Sequence, residues 1–83
     1  MQARLNGVYR ETPDHGTSNW IFEIHLSKRK GTLLVEKLNL PSLQLVADLK
    51  VEGAFYTLCR AVCKADVGEY AALFGRTFSD DID

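Results

Sequence analysis

Two cysteines and two histidines are the residues of this chain that could hold a metal ion. Cys59 and Cys63 lie four residues apart, so on a helix both thiols project from one face. With His15 or His25 they could form a tetrahedral zinc site. Alternatively, both cysteines are small apolar residues at a tight helix interface. Because no C-x-x-C knuckle is present, the sequence favours packing and predicts no metal and no cofactor.

His25 stands two residues after Glu23 on what reads as the polar face of a strand. Histidine titrates near neutral pH and can act as a general base. No serine, cysteine or aspartate is placed by the sequence to act with it. Phosphate-loop, dinucleotide, zinc-protease and nucleophile-elbow motifs are also absent. We therefore interpret His25 as a surface imidazole and predict a protein without catalytic residues that is not an enzyme.

Three consecutive cations, Lys28, Arg29 and Lys30, precede Gly31 between two strand-like segments. Lysine and arginine at the tip of a two-stranded ribbon could contact nucleic-acid phosphates. They would also suit an acidic protein surface, and charged tips are common for solubility alone. Phe78, beyond the last predicted helix, could tie down the tail or anchor a partner. The candidate partner-binding residues are Lys28, Arg29, Lys30, Glu23, His25 and Phe78.

The segments that must position these residues begin with a strand over 20–26. Trp20, Phe22, Ile24 and Leu26 alternate with more polar positions, a period of two that predicts a core-facing strand. Residues 28–31 make a hairpin connection, and 32–38 return as the partner strand. A weaker strand covers 4–10, with Leu5 and Tyr9 on one face and Val8 on the other. Gly7 marks a bulge or close approach. Residues 11–18 read as a loop.

The second half of the chain reads as helical. Residues 40–52 suit either a strand or a helix, and the capping signals at Asn39 and Pro41 favour a helix. Residues 54–65 are apolar nearly all round, which predicts a central helix between the sheet and another helix. Asp66 and Glu69 form a capping-box pattern before a short helix over 67–74. Residues 79–83 are predicted to be a disordered acidic tail.

Composition bounds the fold class. An 83-residue chain with 46% hydrophobic residues suits one domain over 1–83. Strands precede helices, which predicts an α+β fold. We expect a small N-terminal antiparallel sheet of two to three strands packed against two to three helices. The exposed sheet edges make edge pairing or helix packing into a homodimer a further expectation.

Charge bears on the class of partner. The net charge is −1, with six cations against four anions in residues 1–40 and four against seven in residues 41–83. The acidic second half disfavours an extended phosphate backbone. No apolar run approaches the length of a membrane span, and no secretion signal is visible. Together these features predict a cytoplasmic module with no membrane contact.

The leading functional interpretation is a non-enzymatic interaction module that regulates or inhibits a larger protein partner. Small inhibitors encoded by phages and other mobile elements share this compositional profile. The alternative is a nucleic-acid-binding regulator that uses the basic hairpin tip. A small enzyme or metal-binding domain is the third interpretation.

Overall fold

The computed structural model describes residues 1–12, 16 and 18–81. Within them, a four-stranded antiparallel sheet has the strand order β3-β2-β1-β4. The α+β class and the N-terminal position of the sheet are confirmed, with one more strand than the sequence predicted. In chain order the elements are β1 (Gln2–Glu11), β2 (Asn19–Ser27), β3 (Leu33–Asn39), α1 (Leu40–Asp48), α2 (Ala54–Lys64), a 3₁₀ turn (Val67–Glu69), α3 (Tyr70–Leu73) and β4 (Thr77–Ser79).

The alternating face of β2 supplies the centre of the core, as its period of two predicts. Phe22 and Ile24 are fully buried, and Leu26 is nearly so. The Tyr70 ring makes T-shaped contacts with both Trp20 and Phe22. The helices that the structure describes pack on this one face. The core consists of Ala3, Leu5, Phe22, Ile24, Leu26, Leu43, Ala54, Leu58, Cys59, Val62, Tyr70 and Leu73.

A bulge in β1 changes which of its side chains face the core. Leu5 pairs with Ile24 and Gly7 with Glu23, so Asn6 is an extra residue. Beyond the bulge, Val8 lies opposite Phe22 and packs against the core, whereas Tyr9 is 42% exposed. The prediction that Tyr9 shares a face with Leu5 is therefore wrong, because one extra residue reverses the alternation.

The hairpin between β2 and β3 is tighter than the predicted four-residue connection. The Lys28 amide donates to the Thr32 carbonyl at 2.9 Å, and the Gly31 amide donates to the Lys28 carbonyl at 3.0 Å. This leaves a three-residue loop in which Gly31 has a φ of 84°. Glycine adopts that conformation without steric cost, as such a turn requires. The basic residues therefore stand at the end of a two-stranded ribbon.

Residues 40–48 are helical, so the helix interpretation is confirmed for this part of 40–52. The Asn39 side chain accepts a hydrogen bond from the Ser42 amide at 2.9 Å, and Pro41 occupies the first turn. Only Leu43 of α1 is buried, whereas Leu45 is 71% exposed. A helix that is apolar on both sides leaves hydrophobic surface uncovered.

The helix predicted over 54–65 is confirmed as α2. However, α2 does not lie between the sheet and a second layer of helices. It contacts β1 and β4, while α1 contacts β2, β3 and α2. The two helices therefore share the cover of one sheet face. Arg60 of α2 donates to the carbonyls of Leu49 and Val51 at 2.8 and 2.5 Å, which holds the connection between the helices.

The chain after α2 begins with the predicted capping box. The Asp66 amide donates to the Glu69 carboxylate at 2.9 Å. Beyond α3, residues 77–79 add β4 to the free side of β1. The interpretation of 79–83 as a disordered tail therefore needs correction for its first two residues. Ser79 ends β4, and the Asp80 amide donates to the Met1 carbonyl at 2.9 Å.

No helix in residues 1–12, 16 and 18–81 is long and apolar enough to cross a membrane.

Candidate functional site

The face of the sheet opposite the helices is not covered by any other described element. Residues paired across neighbouring strands share a face, so the register arranges this surface in rows. One row runs from Thr77 through Arg4 and His25 to Val35. We call this surface the open face, and it consists of Gln2, Arg4, Gly7, Tyr9, Glu11, Asn19, Ile21, Glu23, His25, Ser27, Leu33, Val35, Lys37, Asn39, Thr77 and Ser79.

Glu23 lies at the centre of the open face and gathers two of its basic groups. Its carboxylate oxygens are 3.7 Å from His25 Nε2 and 4.0 Å from Lys37 Nζ. Gly7 lies directly opposite Glu23 on β1, so this carboxylate stands over the backbone of the neighbouring strand. The structure therefore brings the candidates Glu23 and His25 together in a polar cluster suited to hydrogen bonds and ion pairs.

Apolar side chains flank that polar cluster toward the end of the sheet farthest from the hairpin tip. Tyr9 lies opposite Ile21, and Ile21 lies opposite Asn39. A depression of about 330 Å³ opens among these side chains, Glu11, Asn19 and Lys37. An aromatic ring and a branched aliphatic side chain beside charged groups can bury surface and form hydrogen bonds at once.

The basic tip, Lys28, Arg29 and Lys30, is exposed at the other end of the sheet. Arg29 Nη2 lies 3.6 Å from Asp81 Oδ1, so the tip stands beside the acidic end of the chain. Gln2 and Ser27 line both the groove at its base and the depression around His25. The tip is thus continuous with the open face and carries a nearby negative charge that its sequence did not indicate.

Phe78 lies apart from the other candidate residues. It pairs with Ala3 in β4, on the helix side of the sheet, and its half-buried ring packs against the core. The Arg76 guanidinium lies over this ring, 5.0 Å from its centroid. The contacts of Phe78 are therefore with its own chain, and we leave it out of the candidate surface.

The β3 edge is a second uncovered feature, and sequence reasoning missed it. Leu33, Leu34 and Val35 are 55, 40 and 48% exposed. The sequence predicts them only as part of the strand that pairs with β2. Three apolar residues in a row do not alternate with polar ones, and that departure was the available signal.

The two cysteines occupy different surroundings. Cys59 is fully buried in the core, whereas Cys63 is exposed. Burial raises the pKa of Cys59 to about 12. The pKa of Cys63 is raised by partial burial and by Asp48. In the described part of the chain, no three metal-ligating side chains lie close enough together to hold an ion. His15 lies outside the described residues.

Thiol reactivity follows from this difference. In the native protein at neutral pH, we expect a chromogenic disulfide reagent to modify Cys63 and to spare Cys59 until the chain unfolds. Access to the thiol and its fraction in the thiolate form both limit this reaction. The Cys63→Ser variant should lose the native reaction and keep the one released by denaturant. Equal native reaction rates at both thiols would contradict the burial of Cys59.

Comparison of the chain with protein-family models, with curated proteins and with solved structures finds no match. The function must therefore be argued from the surfaces described above.

Proposed function

We propose that this protein is a non-enzymatic interaction module that docks on a larger protein through the open face of its sheet. The observation that carries the proposal is the segregation of all described helices to the other face. A central strand that exposes part of Ile21 beside Tyr9 leaves apolar surface ready for burial. Isolated apolar residues at a surface are ordinary, but a contiguous group beside charged residues resembles the centre of a protein interface.

The charge of the open face favours a protein over a nucleic acid. Its two cations, Arg4 and Lys37, stand with two carboxylates, Glu11 and Glu23. A phosphate backbone requires a surplus of cations along its path. A protein surface can instead meet each charge with its opposite.

Within this proposal the surface has two parts with different roles. Tyr9 and Ile21 form the apolar anchor, while Glu23, His25 and Lys37 supply directional polar contacts. Anchors of this kind contribute most of the binding free energy in protein interfaces. The exposed basic tip steers the encounter toward an acidic patch on the partner, mainly by raising the association rate.

The biological role we propose is that of a free-standing regulator or inhibitor. A compact module bound through a broad sheet face can act by covering the surface it binds, without chemistry of its own. Both cysteines are free thiols, so we place the module in the reducing environment of the cytoplasm. Its composition is like that of small inhibitors encoded by phages and other mobile elements, and we include such an origin in the proposal.

Photo-crosslinking tests the docking surface. A photoreactive phenylalanine analogue at Tyr9 should crosslink one discrete protein species in cells of the source organism. The matched control carries the analogue at Phe74, an aromatic of similar exposure that follows α3. We expect the Tyr9 product to be absent from the control. Combining Ile21→Lys with the Tyr9 analogue should reduce its yield at least tenfold, because a desolvated charge opposes burial.

Three outcomes would contradict the proposal. They are identical products from both positions, no product from Tyr9, and a product digested by nuclease but not by protease. The last outcome would favour the alternative, binding of nucleic acid by Lys28, Arg29 and Lys30. In that case affinity should fall steeply as salt is raised.

A further inference from the structure

Among the described residues, the β3 strand forms one edge of the sheet, and no strand pairs with its outer side. The hydrogen bond from the Lys28 amide to the Thr32 carbonyl sets the pairing pattern of the hairpin. In an antiparallel pair, hydrogen-bonded positions alternate with positions whose groups point away. The N–H and C=O groups of Leu33, Val35 and Lys37 therefore point outward from the sheet. They form a template for another strand.

The side chains along the same edge are unusual for a free strand. Native sheet edges are commonly protected by short length, prolines, charges or covering segments. The opposite edge, β4, is only three residues long and is followed by Asp80 and Asp81. In contrast, β3 has seven residues and begins with Leu33, Leu34 and Val35, all exposed. Glu36 and Lys37 place charges in the second half of this strand only, so its first half exposes apolar side chains.

We propose that a second copy of the chain covers it. Two β3 strands pair antiparallel about a two-fold axis perpendicular to the sheet at Leu34. In this register Leu34 lies opposite its counterpart, and Leu33 of each copy lies opposite Val35 of the other. The outward N–H and C=O groups of Leu33 and Val35 then bond between the copies. The result is a continuous eight-stranded sheet whose edge apolar residues cover one another.

Hydrophobic pairing favours this register over an axis at Leu33, which would place Leu34 opposite Thr32 and Val35 opposite Gly31. Charge disfavours registers displaced toward the other end of β3. A two-fold axis at Glu36 or at Lys37 would place two like charges directly opposite each other, which is destabilising. An axis at Val35 would place Leu34 opposite Glu36. In the Leu34 register, Glu36 lies opposite Thr32 and diagonal to Lys30, an opposite charge. Lys37 lies opposite Gly31, which has no side chain.

Helix α1 lies next to the same edge of the sheet. It is the helix that packs on the β2 and β3 side of the sheet. Leu45 within it and Leu49 directly after it are exposed. The two-fold axis at Leu34 places both α1 helices on the same side of the joined sheet. The dimer leaves the Tyr9 end of the open face uncovered, so it is independent of the docking proposed above.

A disulfide tests the register directly. Paired residues at a non-hydrogen-bonded antiparallel position have Cα atoms about 4.5 Å apart, within disulfide range. In a Cys63→Ser background, Leu34→Cys should form a disulfide-linked dimer under mild oxidation. The matched control is Glu36→Cys in the same background, which should stay monomeric on a non-reducing gel. Equal crosslinking of both variants, or of neither, would overturn the proposed register.

Sedimentation in solution tests the dimer itself. We expect the unmodified chain to be dimeric at about 100 µM, a concentration that populates a dimer with a Kd near 10 µM. Val35→Lys places a charge against Leu33 of the other copy and should raise the Kd at least tenfold. Val67→Lys, the same change at a similarly exposed site beyond α2, should leave it unchanged. A monomeric unmodified chain, or a Val35→Lys variant that dimerises equally well, would overturn the proposal.

Discussion

Replacing Phe22 with alanine is expected to remove a large part of the stability of this protein. Phe22 is fully buried at the centre of β2, where it lies opposite Val8 on one side and Leu38 on the other. Its ring centroid is 5.2 Å from that of Tyr70 in an edge-to-face contact. Truncation of a buried phenylalanine costs about 3–5 kcal/mol, since the loss of burial adds to the cavity left behind. A chain of this size has a total stability of only about 4–12 kcal/mol.

Urea denaturation followed by circular dichroism measures this loss. We expect Phe22→Ala to lower the free energy of unfolding by the amount above, at one fixed protein concentration. Phe74→Ala is the matched control, because Phe74 is 37% exposed and lies outside the buried core; it should lose less than about 1 kcal/mol. If Phe22→Ala does not fold, Phe22→Leu should still lose about 1 kcal/mol. Equal losses at both phenylalanines would contradict the central position of Phe22.

The elements that the sequence predicted correctly are those with a strong local signal. The alternation of apolar and polar residues through Phe22 and Ile24 indicates a strand with one buried face, whichever strands lie next to it. Likewise, Asn39 caps α1 and Glu69 completes the capping box through contacts only three residues away. Each of these interactions involves neighbours in the chain, so residue type and spacing are enough to predict it.

The bulge in β1 shows why local pattern alone fails elsewhere. An extra residue at Asn6 is visible only once β1 is paired with β2, yet it decides that Val8 is internal and Tyr9 is external. The position of a strand within the sheet is likewise not visible in the local sequence. The exposure of Leu34 follows from β3 lying at an edge, and strand order is a property of the whole fold.

In the candidate surface, too, some residues are placed by local spacing and others only by the pairing of strands. Glu23 and His25 share a strand face by their two-residue spacing, so their proximity was predictable. Tyr9 joins that face only through the register of a different strand. No local pattern decides whether Phe78 holds the tail or anchors a partner, because its position is fixed by the pairing of β4 with β1.

Asp80 links three parts of the chain that are far apart in sequence. The N-cap residue of α2 is Gly53, which has no side chain to cap the helix. Asp80 Oδ2 accepts a hydrogen bond from the Ala54 amide instead. Asp80 Oδ1 lies 3.3 Å from the Met1 amine, with both side chains largely shielded from solvent. A Cβ at Gly53 would come within 3.3 Å of this carboxylate, so glycine allows the approach.

Asp80→Ala is expected to lower the free energy of unfolding by about 1–3 kcal/mol, because the Ala54 amide loses its side-chain acceptor and the Met1 amine loses its ion pair with the carboxylate. Asp80→Asn keeps an oxygen for the Ala54 amide but loses the negative charge, so its loss should be smaller. The matched control is Asp81→Ala, which removes a fully exposed carboxylate beside Arg29 and should cause no measurable loss. Hydrogen exchange at the Ala54 amide should accelerate in Asp80→Ala and stay unchanged in Asp81→Ala. Equal effects of the two alanine variants would mean that only the overall negative charge at this end matters, and that α2 is not capped by Asp80.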